Sequence, residues 1–249
     1  MNTRLILMLL PVLLFSATSA QAKCEDEAQP GVNWTGCDKS GLDLSGVDLQ
    51  GAILRRVNFS NSNLSKARLQ TADLSFAKLH KTNFKQARME MVRLNNAKIQ
   101  ASDFSEAILD DARLSRSKIE KTLFLSSRMN KVNLYEARVS DTQFDNAVLA
   151  NVDFSRARFS ASSFTNIQAE AAVFNEADLE NADFTKAVLK AAKFEQANLI
   201  NTVFNQTDLS EASIRGAIID GASFDEAILS STIWVKYQRC RIGSIGVCK

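Results

Sequence analysis

Every fifth residue from Leu44 to Trp234 is a large apolar side chain except Ala169, 38 positions of 39 with no slip across 191 residues. Two residues before each centre runs a second series, mostly Ala, Ser, Thr or Val, with Leu42 and Ile167 as its large members. Neither common secondary structure accommodates this period. Five residues of helix turn about 500°, so successive centres lie about 140° apart and share no face. On a flat strand an odd period sends successive centres to opposite faces. The chain must therefore turn a corner once per unit.

Steps of twenty show how many corners make a circuit. One set of centres reads Leu44, Leu64, Phe84, Phe104, Phe124, Phe144, and continues as Phe to Phe224, whereas the set offset by five is chiefly Leu and Met. Thirteen of the 15 Phe are centres, and eight share that column. A twenty-residue coil of four five-residue sides stacks these rings about 4.8 Å apart, near what offset aromatic stacking prefers. Ten such coils make a rod roughly 45 to 50 Å long. A single coil cannot bury its own inward residues, so stacking supplies the core.

Stretches such as Ala72-Asp73-Leu74-Ser75, Ala177-Asp178-Leu179-Glu180 and Ala197-Asn198-Leu199 match the unit A(D/N)LXX. Over about residues 41 to 234 the chain thus resembles the pentapeptide-repeat family. The resemblance implies an all-β fold, a right-handed quadrilateral parallel β-helix of about ten coils. It also implies that the centre and the small residue both point inward. Ile167 followed by Ala169 fits that geometry by keeping volume.

The ends bear on location. Arg4, an apolar run from Leu5 to Phe15 and the small-residue stretch Ala20-Gln21-Ala22 read as a secretory signal peptide over 1–22, cleaved after Ala22. The run is too short to span a bilayer, and Lys23 before Cys24 is wrong for lipid attachment. Export to the periplasm or the medium is expected. Four cysteines allow three connectivities. Two of these would join opposite ends of the rod, whereas a disulfide tolerates about 7 Å between Cα atoms. The rod leaves Cys24–Cys37 in an N-terminal cap over 23–41 and Cys240–Cys248 in a C-terminal cap over 235–249. Between them lies the repeat, 42–234. Such caps would cover the open strand edges of a solenoid. Both flanks resemble those of exported bacterial members of the family. The pairs lack close ligand spacing and histidine partners, so no metal or other cofactor is expected.

Little here carries chemistry. The interior is aliphatic and aromatic, and the single His, His80, falls at an outward site. Asp110 and Asp111 are outward too and read as a solvated corner. No phosphate loop, nucleophile elbow or metal cluster appears, and no loops are inserted between units to build a groove. An enzyme is not expected.

Charge is the remaining signal. Residues 42–140 hold 17 Lys and Arg against 10 Asp and Glu; residues 141–232 hold 6 against 14. Lys78, Lys98, Lys118, Arg138 and Arg158 recur every twenty residues and should stack in one outward column. Neighbouring outward sites add Lys81, Arg116, Lys121 and Arg156, with Glu120, Glu136 and Asp141 opposing them. Glu176, Asp178 and Glu180 make the same side acidic farther along. One reading is a soluble rod whose charges drifted, since exposed like charges cost little. The other is a ridge for an anionic partner, either a protein of the envelope or an anionic polymer. Two rods side by side and antiparallel would also set basic half against acidic half, as a homodimer.

Three functional classes follow. The first is a non-catalytic interaction or scaffolding rod of the envelope. The second, by resemblance to cytosolic relatives, is an acidic mimic of duplex DNA that binds topoisomerases; the signal peptide and the basic half oppose it. The third is a glycan-binding or glycan-cleaving protein, for which outward Phe76 and Tyr135 are too few aromatics.

Overall fold

The corner that a period of five demands is built from one hydrogen bond and one left-handed residue. At most corners the carbonyl of the centre accepts the N–H three residues on, as in Leu74–Ala77 at 3.1 Å and Phe84–Ala87 at 2.9 Å. The residue before the donor has positive φ, +63° at Phe76 and +59° at Gln86, which makes a type II turn. The Asp or Asn preceding the centre helps to set it. Asp73 Oδ1 accepts the Ser75 N–H at 3.0 Å, and Asn58 Oδ1 accepts that of Ser60 at 3.1 Å. This Asx arrangement is the physical reason for the polar residue in the repeated unit.

The computed structural model describes residues 23–249; the leader expected over 1–22 lies outside them. Each side pairs in parallel with the side twenty residues later. The ladder Asn33–Ile53–Asp73 continues in steps of twenty to Ile233, giving about ten coils. The Leu74 N–H donates to Arg93 O at 2.7 Å, and the Arg93 N–H donates to Ala72 O at 2.9 Å. Backbone polarity is thus satisfied coil to coil. The result is a right-handed, four-sided parallel β-helix.

Both inward series are buried along almost the whole length. Leu42 departs from that rule; in an early coil it stays 41% exposed. Ile167 and Ala169 are both fully buried, so the swap of large and small keeps the tube filled. From Phe84 to Phe224 the rings stack at centroid distances of 4.7 to 5.3 Å. A shorter stack, Phe154–Phe174–Phe194, meets it edge-on, with Phe174 and Phe184 5.6 Å apart at 89°. Tryptophans sit near each end of this core: Trp34 against Phe59 and Trp234 against Phe224.

On one side, five successive coils form regular strands: β1 (Lys78–His80), β2 (Lys98–Gln100), β3 (Lys118–Glu120), β4 (Arg138–Ser140) and β5 (Arg158–Ser160). They make one parallel sheet in the order β1-β2-β3-β4-β5. Each is followed by a hydroxyl residue at the inward small site: Thr82, Ser102, Thr122, Thr142 and Ser162. At these corners the centre carbonyl receives no turn bond from that residue's N–H. The hydroxyls bond to carbonyls instead, Thr82 to Phe59 at 2.9 Å and Ser102 to Leu79 at 2.6 Å. Thr122 bonds Glu120, and Thr142 bonds Ser140, both at 2.9 Å. A hydroxyl alone is not sufficient, since Ser62 and Thr202 keep the ordinary turn. Extended corners stack on extended corners over these five levels.

At the N-terminal end the ladder reaches back to Asn33 and Asp38. The first coil therefore begins inside the segment expected to be a cap. Cys24 is bonded to Cys37 and Cys240 to Cys248. The tail turns back antiparallel, pairing Arg239 with Ile233 and Ile245 with Ile228, and so covers the last edge. Among the described residues, no helix is long and apolar enough to cross a membrane.

Candidate functional site

The β1–β5 sheet carries the cations. Its register pairs Lys78 with Lys98, Lys98 with Lys118, Lys118 with Arg138 and Arg138 with Arg158. Strand side chains alternate across a sheet, so Leu79, Ile99, Ile119, Val139 and Phe159 face the core while the residues on either side face out. All five cations are exposed. A second outward row runs beside them: His80, Gln100, Glu120, Ser140 and Ser160.

The flanking corners supply the rest of the expected group. Arg116 and Arg156 sit at the left-handed positions before β3 and β5, with φ of +58° and +57°; Lys81 and Lys121 sit after β1 and β3, at +52° and +49°. Three of the nine cations are neutralised within the chain. Arg116 pairs with Glu136 at 2.8 Å, Lys118 with Glu120 at 2.7 Å and Arg156 with Glu176 at 2.9 Å. Arg156 also donates to the Tyr135 hydroxyl at 3.1 Å. Hydrogen bonding to Arg116, then to Tyr135, holds the Glu136 carboxyl below its ordinary value, and Glu136 in turn raises Arg116. Among the described residues, no carboxylate comes within 4.0 Å of Lys78, Lys81, Lys98, Lys121, Arg138 or Arg158.

Arg138 and Arg158 stand between two hollows. One, of about 600 Å³, is bordered by Arg116, Lys118, Arg156 and Glu136 as well as these two. The other, of about 250 Å³, adds Ser140, Ser160, Phe159 and Asp178. Both are open to solvent, and Lys118, Arg138 and Arg158 border each. Their chemistry is that of multipoint recognition of oxyanions by guanidinium and ammonium groups.

Sequence periodicity placed the cations in one column but did not show that Ser140 and Ser160 line the same surface. The step of twenty, applied two residues after each cation, finds that row. Tyr135, expected outward, is half-buried, whereas Phe76 is 43% exposed and lies 5.5 Å from the Arg56 guanidinium. His80 is partly buried, with Nδ1 unpartnered.

The family model for a pentapeptide repeat region matches residues 47–124 and 137–214, and that for pentapeptide repeats in eight copies matches 31–61. The chain belongs to the pentapeptide-repeat family. Its fold is similar to that of HetL, a pentapeptide repeat protein involved in heterocyst differentiation regulation from the cyanobacterium Nostoc sp. strain PCC 7120. That likeness has a TM-score of 0.78 at 24% identity, covering 84% of this chain and 92% of HetL. QnrB1, a plasmid-mediated fluoroquinolone resistance protein, aligns at 18% identity and a TM-score of 0.38, covering 73% and 88%. No curated protein matches the chain.

Proposed function

We propose that this pentapeptide-repeat protein is a non-catalytic interaction rod of the bacterial envelope that docks an anionic partner along the β1–β5 ridge. The observation that carries this reading is the register of five exposed cations on the one sheet of regular strands among the described residues. A rigid tube fixes those charges in a line, so binding needs little ordering of the protein. Two disulfides, one at each end, support an oxidising compartment, in agreement with the leader read over residues 1–22.

The ridge has the wrong sign for a mimic of duplex DNA. An antiparallel homodimer through this face also lacks complementarity. Beyond Arg158 the column continues as Asp178, Asn198 and Ile218, so the carboxylates of Glu176, Asp178 and Glu180 gather at the first level past it, where Glu176 is already paired with Arg156.

Affinity capture from envelope extract tests the reading, using the mature rod and a rod carrying Arg138→Glu with Arg158→Glu. A partner retained by the first, released by salt and lost from the second supports ridge docking. Identical recovery on both rods refutes it. Fractionation tests export, since a cytosolic protein that keeps residues 1–22 contradicts it.

A further inference from the structure

This inference rests on the docking reading and names the partner's chemistry. We infer that the ridge binds an unbranched, densely charged phosphate polymer, laid along the column from Lys78 to Arg158.

The ridge is straight. Five strands in register place their cations on a line of four strand spacings, about 19 Å. No loop interrupts that line, and the chain does not bend between levels. A small anion reaches at most two levels. An extended linear chain spans all five levels.

The ridge is also densely charged. Among the described residues, Lys78, Lys81, Lys98, Lys121, Arg138 and Arg158 have no carboxylate within 4.0 Å. Over that length they supply roughly one unpaired cation per 3 to 4 Å. An extended acidic peptide presents side chains to one face only every second residue, about 6.6 Å apart, and so matches about half of it. Duplex DNA is dense enough, but its strands wind away from a straight row. Single-stranded nucleic acid is held largely by stacking on aromatic rings. The second outward row is His80, Gln100, Glu120, Ser140 and Ser160; its one ring, His80, and the exposed Phe76 both lie at the Lys78 end, so no row of rings runs beside the cations. A polymer recognised by charge alone, with an anion on every monomer, fits what remains.

The donor groups have a form that suits phosphate. Arg138 and Arg158 border both hollows, and Ser140 and Ser160 add hydroxyl donors beside them. Tetrahedral oxyanions with several acceptor oxygens suit forked guanidinium donors flanked by hydroxyls.

Titration calorimetry on the disulfide-intact mature chain, with polyphosphates of defined length and inorganic phosphate, tests the proposal. Affinity should rise with chain length and level off once the polymer outgrows the ridge. Arg138→Glu with Arg158→Glu should weaken binding by about tenfold or more at low salt and flatten the salt dependence by about two ions. The Gln pair should fall between. Arg93→Glu, on a neighbouring side of the same basic half, should stay within about twofold. Equal affinity for inorganic phosphate and long chains overturns the proposal, as does an Arg93 effect equal to the ridge effect. Tighter binding of a single-stranded oligonucleotide or a sulfated glycan of equal charge assigns the ridge to that polymer instead and also overturns it. If polyphosphate fails to bind while envelope capture still depends on Arg138 and Arg158, docking stands and the polymer is wrong.

Discussion

Ser102 donates its hydroxyl hydrogen to the Leu79 carbonyl, 2.6 Å away in the preceding coil, and accepts the Thr82 N–H at 3.2 Å. One buried oxygen thereby satisfies two backbone groups that an ordinary corner would have paired with each other. Ser102→Ala should cost about 1 to 3 kcal/mol, because both groups lose their partner away from water. Ser117 is the internal control: its hydroxyl is equally buried and has no hydrogen-bond partner among the described residues. Ser117→Ala should be neutral or slightly stabilising in urea unfolding. Equal losses for the two variants would contradict the hydroxyl's role at the corner.

Phe144 sits mid-stack, 5.1 Å from Phe124 and 4.9 Å from Phe164. Phe144→Ala should cost about 3 to 5 kcal/mol through the cavity it leaves. Lys98→Ala, exposed on β2, should stay within about 0.5 kcal/mol. Comparable urea midpoints for the two would contradict the inward assignment of the centres.

Thr71 is β-branched yet holds a left-handed corner at φ +60°. That backbone crowds a branched Cβ, whereas Asn tolerates it. Thr71→Asn should raise stability by about 0.5 to 1 kcal/mol. A lowered melting temperature would show that the corner is not strained.

Acid should weaken the rod through identifiable carboxylates. The side chain and N–H of Ser40, then the Asn58 amide, hold Asp38 below the ordinary 3.8; Ser45 and Asn63 do the same for Asp43. Gln86, then Lys85, lowers Glu106 from 4.5, and Arg116 lowers Glu136. A carboxyl whose folded value is depressed contributes stability above its unfolded value and loses it as pH falls through the folded one. Melting temperature should therefore decline as pH drops below about 4.5 and then 3.8, and Asn58→Ala should raise the Asp38 titration seen by NMR. A melting temperature that rises over that window would contradict these bonds.

The period of five and its grouping by twenty made the tube and the cation column legible, because a one-residue slip would have turned Lys98 or Arg138 inward. The start of the ladder was not legible. Lys39 occupies a position where the series calls for an apolar centre. It lies 3.9 Å from the Trp34 ring centroid and donates to Cys24 O at 2.6 Å, serving the end of the rod. Leu42 reads as an inward residue, yet it stays exposed. The five extended corners were hidden because Ser62 and Ser102 look alike in sequence; the stacking of neighbouring corners separates them. The hollows beside Arg138 depend on how exposed side chains splay, which no spacing encodes.

The account depends on residues eighty apart in sequence lying in one straight column, four strand spacings from each other. Nitroxide labels at Lys78→Cys and Arg158→Cys, with the native disulfides intact, measure this by pulsed electron resonance. A single narrow distance near about 19 Å is expected. A broad distribution, or a peak well beyond it, would contradict the four-sided circuit and the ridge built on it.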